Sequence, residues 1–201
     1  TDDFYVVHQG KAVQTVVPPD GSVTSAKLAT NAVRDTMPSG SVLQVQSVNK
    51  VDRQTISGTT FTDVMTVSIT PTSANSKILV MCDINISCSN QDNATTGQRY
   101  SGVKLYRDST QIAINTDKLS SQTAVWFSSN QSETNASGYT MMNSGGTFID
   151  TPSTTSEITY KVKAANSHTN HLTFINRPSK TDDAAFVHQG TSNLTVMEIA
   201  G

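Results

Sequence analysis

The sequence is short of the acidic residues that enzymes acting on polysaccharides require. Glu occurs at only three positions, 133, 157 and 198, and the aspartates are scattered, with adjacent pairs at Asp2-Asp3 and at Asp182-Asp183. Glycosidases hold two carboxyl groups on either side of one sugar bond, whereas neighbours on a strand point to opposite faces. We therefore predict that the chain is not an enzyme and needs no cofactor.

Cysteine and long apolar runs are also scarce. Cys82 and Cys88 lie on one alternating segment about 20 Å apart along a strand, too far for a disulfide. We predict that both are reduced and fill the core, as expected for assembly in a cytoplasm. No apolar run approaches the roughly 20 residues of a membrane span, and the net charge of −2 argues against a nucleic-acid partner. The chain starts without Met and without a signal peptide, which indicates a processed product or the tail of a longer protein.

What the chain does have is Ser and Thr, at about a quarter of all positions, together with many β-branched residues. Short alternating segments recur at intervals of about ten residues, which is typical of an all-β sandwich or barrel. The segment 77–87 has apolar residues on both faces, so we expect it to be central. Residues 115–147 read as long polar loops around one or two short strands, with Gly145-Gly146 as a turn. The predicted strands are 41–48, 59–70, 77–87, a hairpin over 100–115, 147–151, 157–165, 171–176, 184–190 and 193–200.

The first 38 residues have a different pattern. Residues 1–17 read as one strand that ends at Pro18-Pro19, and residues 22–33 as one short helix. A helix of this length is marginal alone, so we expect Leu28 and Val33 to form a neck with other copies of the chain. The predicted organisation is an end strand in 1–20, a neck in 21–38 and a β-sandwich head in 39–201.

Four stretches carry a resemblance to known proteins: FTDVMTVSITPTSANSKILVMCDINIS, VKLYRDSTQIA, FIDTPSTTSEITYKVKAAN and LTVMEIAG. They resemble the C-terminal domains of tail fibres and related virion structural proteins of bacteriophages, particularly marine and cyanobacterial ones. DDFYVVHQGKAVQTVVPPDGSVTSAKLA looks like the join between two fibre domains. The segment order is also similar to the jelly rolls of tumour-necrosis-factor and complement heads, which form tight trimers.

The resemblance implies a trimeric jelly roll located in the virion and assembled in the cytoplasm of a bacterial host. Its partners would be other tail or fibre proteins and a host surface polysaccharide or outer-membrane receptor. The chain also contains a repeat: TDDFYVVHQG at 1–10 and TDDAAFVHQG at 181–190 share seven of ten positions. The resemblance to fibre proteins offers one explanation for it. Three explanations remain open: tandem fibre domains, in which the first copy closes an upstream domain and the second is a late strand of the complete domain; chance; and direct pairing of the two copies.

Candidate binding residues lie in the polar loops, where recognition usually resides. Sugars are held by aromatic faces and planar polar groups, so we predict a receptor site in these loops. For Trp126 the alternative is that its ring packs in the core or at a trimer interface. His168 and His171 are the closest histidine pair, but a transition metal usually needs more ligands, so we predict a hairpin loop and no metal. The predicted receptor-binding residues are Trp126, Phe127, Asn130, Gln131, Tyr139 and Arg99.

The function predicted from the sequence is therefore that of a distal phage fibre domain that binds a host receptor by avidity. The first alternative is a head fibre, decoration or spacer domain without recognition. A capsule-degrading enzyme and a secreted cytokine-like or complement-like head are weaker alternatives, since acids are few and no signal peptide is present.

Overall fold

The computed structural model describes residues 20, 23–24, 37–90, 100–130, 138–180 and 182–201. The chain divides into two compact units, Thr1–Met37 and Pro38–Gly201, and all of the described strands lie in the second. The predicted strand over 1–17 and nearly all of the predicted helix over 22–33 lie outside the described residues. Leu28, Val33, Arg99 and Gln131 lie outside them as well.

Every regular element in the described residues is a β-strand, as the abundance of Thr, Ser and β-branched residues predicts. Most strands alternate buried and exposed positions, so one face of each lies in the core. The eleven strands are β1 (Val42–Lys50), β2 (Gln54–Ser57), β3 (Thr62–Ile69), β4 (Lys77–Asn90), β5 (Tyr100–Arg107), β6 (Thr110–Ile112), β7 (Phe127–Asn130), β8 (Met142–Asp150), β9 (Ile158–Asn166), β10 (His171–Ile175) and β11 (Ser192–Ile199).

Six strands form the first sheet, which is built around β4. One edge of β4 pairs with β8, and its other edge pairs with β11 over residues 77–83 and with β10 over residues 86–90. β1 pairs with β11 and β2 with β10, so β1 and β2 lie end to end, as do β10 and β11. All these pairs are antiparallel. The prediction that the segment 77–87 is central is confirmed.

Five strands form the second sheet in the order β3-β9-β5, with β6 and β7 end to end along the far edge of β5. These pairs are antiparallel too. The predicted hairpin over 100–115 is confirmed, with Leu105 opposite Ile112 and a tight turn at Asp108 and Ser109.

The two sheets share one apolar core, the arrangement of a β-sandwich. Ile78, Val80 and Ile84 from β4 are fully buried, as are Val103 and Leu105 from β5. Cys82 and Cys88 are buried and form no disulfide, which confirms that they fill the core and do not pair with each other. The sandwich places the outward faces of its two sheets on opposite sides.

Two sequence expectations are wrong, and one turn and one short strand were missed. Residues 184–190 contain turns and no strand, so the second copy of the repeat is not the late strand that the tandem explanation assumed. The tight turn at Gly58 and the short strand β2 were not foreseen. Gly145 and Gly146 lie within β8, which begins at Met142, and they do not form a turn.

Among the residues that the structure describes, there is no helix with the length and apolar character needed to cross a membrane.

Candidate functional site

Trp126 and Phe127 lie side by side at the start of β7. Their ring centroids are 5.2 Å apart, and both half-buried rings pack against the core. A Cβ added to Gly146 of β8 would lie 2.7 Å from Cε2 of Trp126 and 2.9 Å from Cδ1 of Phe127. Because Trp126 precedes the first strand residue, strand alternation does not force it away from Phe127. The packing alternative for Trp126 is therefore the one that the geometry supports.

Tyr139 belongs to a separate surface cluster that joins the segment before β8 to the loop between β10 and β11. Its hydroxyl donates to the carboxylate of Asp182, and this hydrogen bond raises the pKa of Tyr139. Its ring meets Phe186 edge-on at 5.2 Å, and the Lys180 ammonium lies 5.2 Å from the ring centroid. Phe186 is 62% exposed. The structure thus places Tyr139 with Phe186, while Asn130 is an exposed residue at the end of β7.

The two buried acids of the described region are committed to internal hydrogen bonds. Glu198 on β11 is 0% exposed, and its carboxylate accepts from Gln44 Nε2, Thr72 N and Oγ1, and Ser76 Oγ at 2.6–2.7 Å. This set of donors holds a buried charge without a cation. These hydrogen bonds also connect β1, β11 and the segment that precedes β4.

Asp150 at the end of β8 is the second buried acid. Both of its oxygens accept from Arg107 Nη1, at 2.9 and 3.0 Å, and Oδ2 also accepts from Tyr160 Oη at 2.7 Å. Burial and the hydrogen bond to Asp150 raise the pKa of Tyr160, so its hydroxyl remains a donor at neutral pH. The cluster links the two sheets, because Asp150 lies in the first sheet and Arg107 in the second.

The two histidines of the predicted hairpin loop have different environments. His168 is exposed, whereas His171 is buried and is the first residue of β10. Their rings lie 4.9 Å apart. In the part of the chain that the structure describes, no three His, Cys, Asp or Glu side chains are grouped to hold a metal ion.

The outward face of the first sheet carries an apolar row that crosses four strands. In the register Val45 lies opposite Met197, Met197 opposite Leu79, and Leu79 opposite Ile149. Directly opposite residues share a face, and the neighbours of Leu79 and Met197 in sequence are buried. Ile149 is 57% exposed and Val45 is 49% exposed. This apolar row of Val45, Met197, Leu79 and Ile149 spans about 14 Å.

The outward face of the second sheet carries lysine side chains where the first sheet has its apolar row. Lys104 of β5 lies directly opposite Lys163 of β9, and Lys161 lies opposite Tyr106. We call Lys104, Lys161 and Lys163 the lysine strip. All three alternate with fully buried residues, so their side chains leave the core side of the sheet.

The lysine strip was not predicted from the sequence, although the signal is present. In YSGVKLYR and ITYKVKAA each lysine takes a position between two apolar residues, the place of an outward-facing residue in a half-buried strand. The alternation predicts the strands, but which two strands are neighbours is a property of the sheet order.

Comparisons with known proteins do not assign this chain to a family. No family model matches the chain, and no curated protein matches it. Among solved structures, a chain of the infectious bursal disease virus Gx strain matches over 78% of this chain with 12% identity and a TM-score of 0.35. This chain covers about a third of the matched chain, 36% of its length. A likeness at this level does not establish a shared fold.

Proposed function

We propose that this chain is the trimeric head domain of a virion fibre, and that the head contacts the host surface. The observation that carries the proposal is the apolar row on the outward face of the first sheet. The assignment to a virion rests on the sequence resemblance of the stretches 61–87, 103–113, 148–166 and 194–201 to phage fibre domains.

The strand order supports the jelly-roll part of the proposal. Counting end-to-end strands as one, each sheet has four positions: β1/β2, β10/β11, β4 and β8 in the first, and β3, β9, β5 and β6/β7 in the second. The chain crosses from one sheet to the other at almost every step. Eight positions in two four-stranded antiparallel sheets are what a jelly roll of two Greek keys contains.

The apolar row supports self-association. In a lone chain, Ile149 and Val45 would each leave about half of their surface in water, in one continuous line with Met197 and Leu79. Apolar surface removed from water contributes about 25 cal/mol per Å². A face on a regular antiparallel sheet suits repeated contact with identical copies around an axis. Three copies are the number that the resemblance implies.

The test is the mass of the full chain in solution at micromolar concentration. We expect three times the 21.5 kDa chain mass. Ile149→Asp should shift the mass to that of one chain, because an unpaired charge buried at an interface costs about 3 kcal/mol or more. Thr66→Asp introduces the same charge at an exposed position of β3 in the other sheet and should stay trimeric. A wild-type chain that runs as a monomer would overturn the proposal.

Whether the head recognises a receptor is tested separately by adding labelled full-length chain to candidate host cells. Labelling that is confined to susceptible strains supports receptor binding. A trimer that labels no cell favours the head-fibre, decoration or spacer alternative. Release of soluble sugars from those cells would favour the capsule-degrading enzyme instead.

A further inference from the structure

We propose that the outward face of the second sheet binds an anionic saccharide chain through the lysine strip and its aromatic neighbours. The inference deepens the proposed function, on which it rests, because a trimer joined through the first sheet leaves this opposite face in solvent. It moves the expected receptor contact away from Trp126 and onto β5 and β9.

Charge is the first feature that marks this face. Lys104 and Lys163 are directly opposite each other, an arrangement that costs stability when nothing neutralises the two charges. Two carboxylates lie on the same face: Asp63 forms an ion pair with Lys163 at 2.9 Å, and Asp108 accepts the Thr159 amide at 2.9 Å. One positive charge remains in excess on this face of a chain whose net charge is −2. Asp63 neutralises Lys163, and a bound anion would provide a counter-charge for Lys104 and Lys161.

Aromatic rings accompany the lysines. The Lys104 ammonium lies 4.1 Å from the ring centroid of Phe61, and the Lys163 ammonium lies 5.1 Å from that of Tyr106. Such contacts hold both ammonium groups at the sheet surface rather than free in solvent. Aromatic faces also offer flat apolar surfaces on which the C–H face of a sugar ring packs. The face therefore combines sugar-stacking surfaces with cations.

Two hollows on this face give the surface its shape. The first, of about 230 Å³, is lined by Phe61 and Tyr100 together with the polar side chains of Thr123, Ser128 and Ser167. Its floor includes Gly102, where a Cβ would lie 2.8 Å from Val125 Cγ1 and 3.4 Å from Phe61 Cζ, so a larger residue would fill it. The volume is below the 300–1,000 Å³ of pockets for drug-sized ligands, which suits a single sugar unit.

The second hollow is open, has a volume of about 490 Å³, and is lined by Tyr106, Lys161 and Lys163 among others. Gly102 and Tyr106 lie four residues apart on β5, about 13 Å along the strand, with Lys104 between them. A ligand that fills both hollows must pass over Lys104. An extended polymer with regularly spaced negative charges meets this requirement, whereas a small neutral sugar occupies one hollow at most.

Carboxylates and phosphates would satisfy the lysines equally, so the experiment uses one probe of each kind. Polygalacturonate carries carboxylates, poly(ribitol phosphate) carries phosphates, and dextran is neutral. Binding of the full-length chain to each immobilised polymer is measured at low and at high salt. We expect binding to at least one anionic polymer that falls as salt screens the charges, and no binding to dextran. Equal binding to dextran, or no binding to either anionic polymer, overturns the proposal.

Variants then locate the site. Lys104→Gln and Lys161→Gln should each weaken binding about tenfold, equivalent to about 1.4 kcal/mol. Arg53→Gln removes the same charge from an exposed position between β1 and β2 and should leave binding unchanged, as should Phe186→Ala in the Tyr139 cluster. Loss of binding in Phe186→Ala with retention in the lysine variants would overturn the location.

Thermal unfolding shows that each variant is folded, and the solution mass shows whether it is trimeric. A trimeric wild type without polymer binding contradicts this inference and leaves the proposed trimer intact. A monomeric wild type that binds an anionic polymer contradicts the trimer and leaves this surface intact.

Discussion

At the scale of single residues, Glu198 shows how a charge survives inside an apolar sandwich. Burial raises the pKa of its carboxyl group, but the hydrogen bonds from Gln44, Thr72 and Ser76 outweigh burial and bring the pKa below the ordinary value of 4.5. The carboxylate is therefore the form that the fold prefers. Its contribution to stability is complete above about pH 4.5 and is lost as the pH falls through the lowered folded-state pKa.

Glu198→Gln should lower the free energy of unfolding at pH 7 by about 1–3 kcal/mol, because an amide nitrogen replaces an acceptor that faces buried donors. The difference from wild type should shrink as the pH falls through the lowered pKa of Glu198, where the wild-type carboxyl group takes up a proton. Urea unfolding at several pH values measures both effects. Glu157→Gln, at an exposed position before β9, is the matched control and should change neither. A pH-independent difference would contradict the role given to the charge.

Cys82 is the second residue whose environment fixes its chemistry. Burial and the nearby charge of Asp83 raise the pKa of its thiol to about 12, so the reactive thiolate is rare at neutral pH. This fits the core-filling role that the alternation of the strand predicts, and gives the thiol no part in the candidate sites.

At the scale of elements, the contact between β7 and β8 decides what Trp126 does. β7 is a four-residue strand at the edge of the second sheet, and the rings that precede and begin it cross to Gly146 in the first sheet. Glycine is needed there because the rings approach its backbone too closely for any side chain. The contact closes one side of the sandwich without a backbone hydrogen bond between the two strands.

Gly146→Ala should push Trp126 and Phe127 outward and lower the free energy of unfolding by about 1–3 kcal/mol, the usual cost of overpacking. Trp126 is the single tryptophan of the chain, so its fluorescence should shift to the red as the ring becomes more exposed. Thr147→Ala, at an exposed position one residue further along β8, should have the same stability and the same fluorescence emission as the wild type. An unshifted spectrum in Gly146→Ala would show that the ring does not depend on this contact.

At the scale of the whole molecule, the core belongs to the second unit. Every buried member of the apolar core lies between Ile56 and Val196, and the strands that supply it all lie within Pro38–Gly201. The chain from residue 38 onward thus contains the complete sandwich that the structure describes.

A fragment of residues 38–201 should therefore fold alone, with an unfolding midpoint within a few degrees of that of the full chain. Far-UV circular dichroism during heating provides the measurement. If the apolar row joins the copies, the fragment should also keep the trimeric mass. An unfolded or aggregated fragment would mean that residues 1–37 supply an essential part of the fold, and a monomeric one would assign the association to them.

Local pattern predicted the strands well where both faces had a clear preference. The long segment 77–87 and the hairpin around Asp108 are determined by alternation and turn residues, which act over a few positions. Residues 184–190 begin with four apolar residues but contain turns and no strand, and Gly145-Gly146 has turn composition but lies in β8. In both cases the packing of distant segments overrides a weak local preference.

The sequence by itself determined that the described part of the chain, from residue 38 onward, is all-β, that Cys82 and Cys88 do not pair, and that acids suited to catalysis are few. These features depend on composition and on spacing along one strand. Only the tertiary structure decided that Val45, Met197, Leu79 and Ile149 form one row and that Lys104 faces Lys163. The reason is physical: period-two alternation tells which residues share a face, but sheet order and register decide which of them meet.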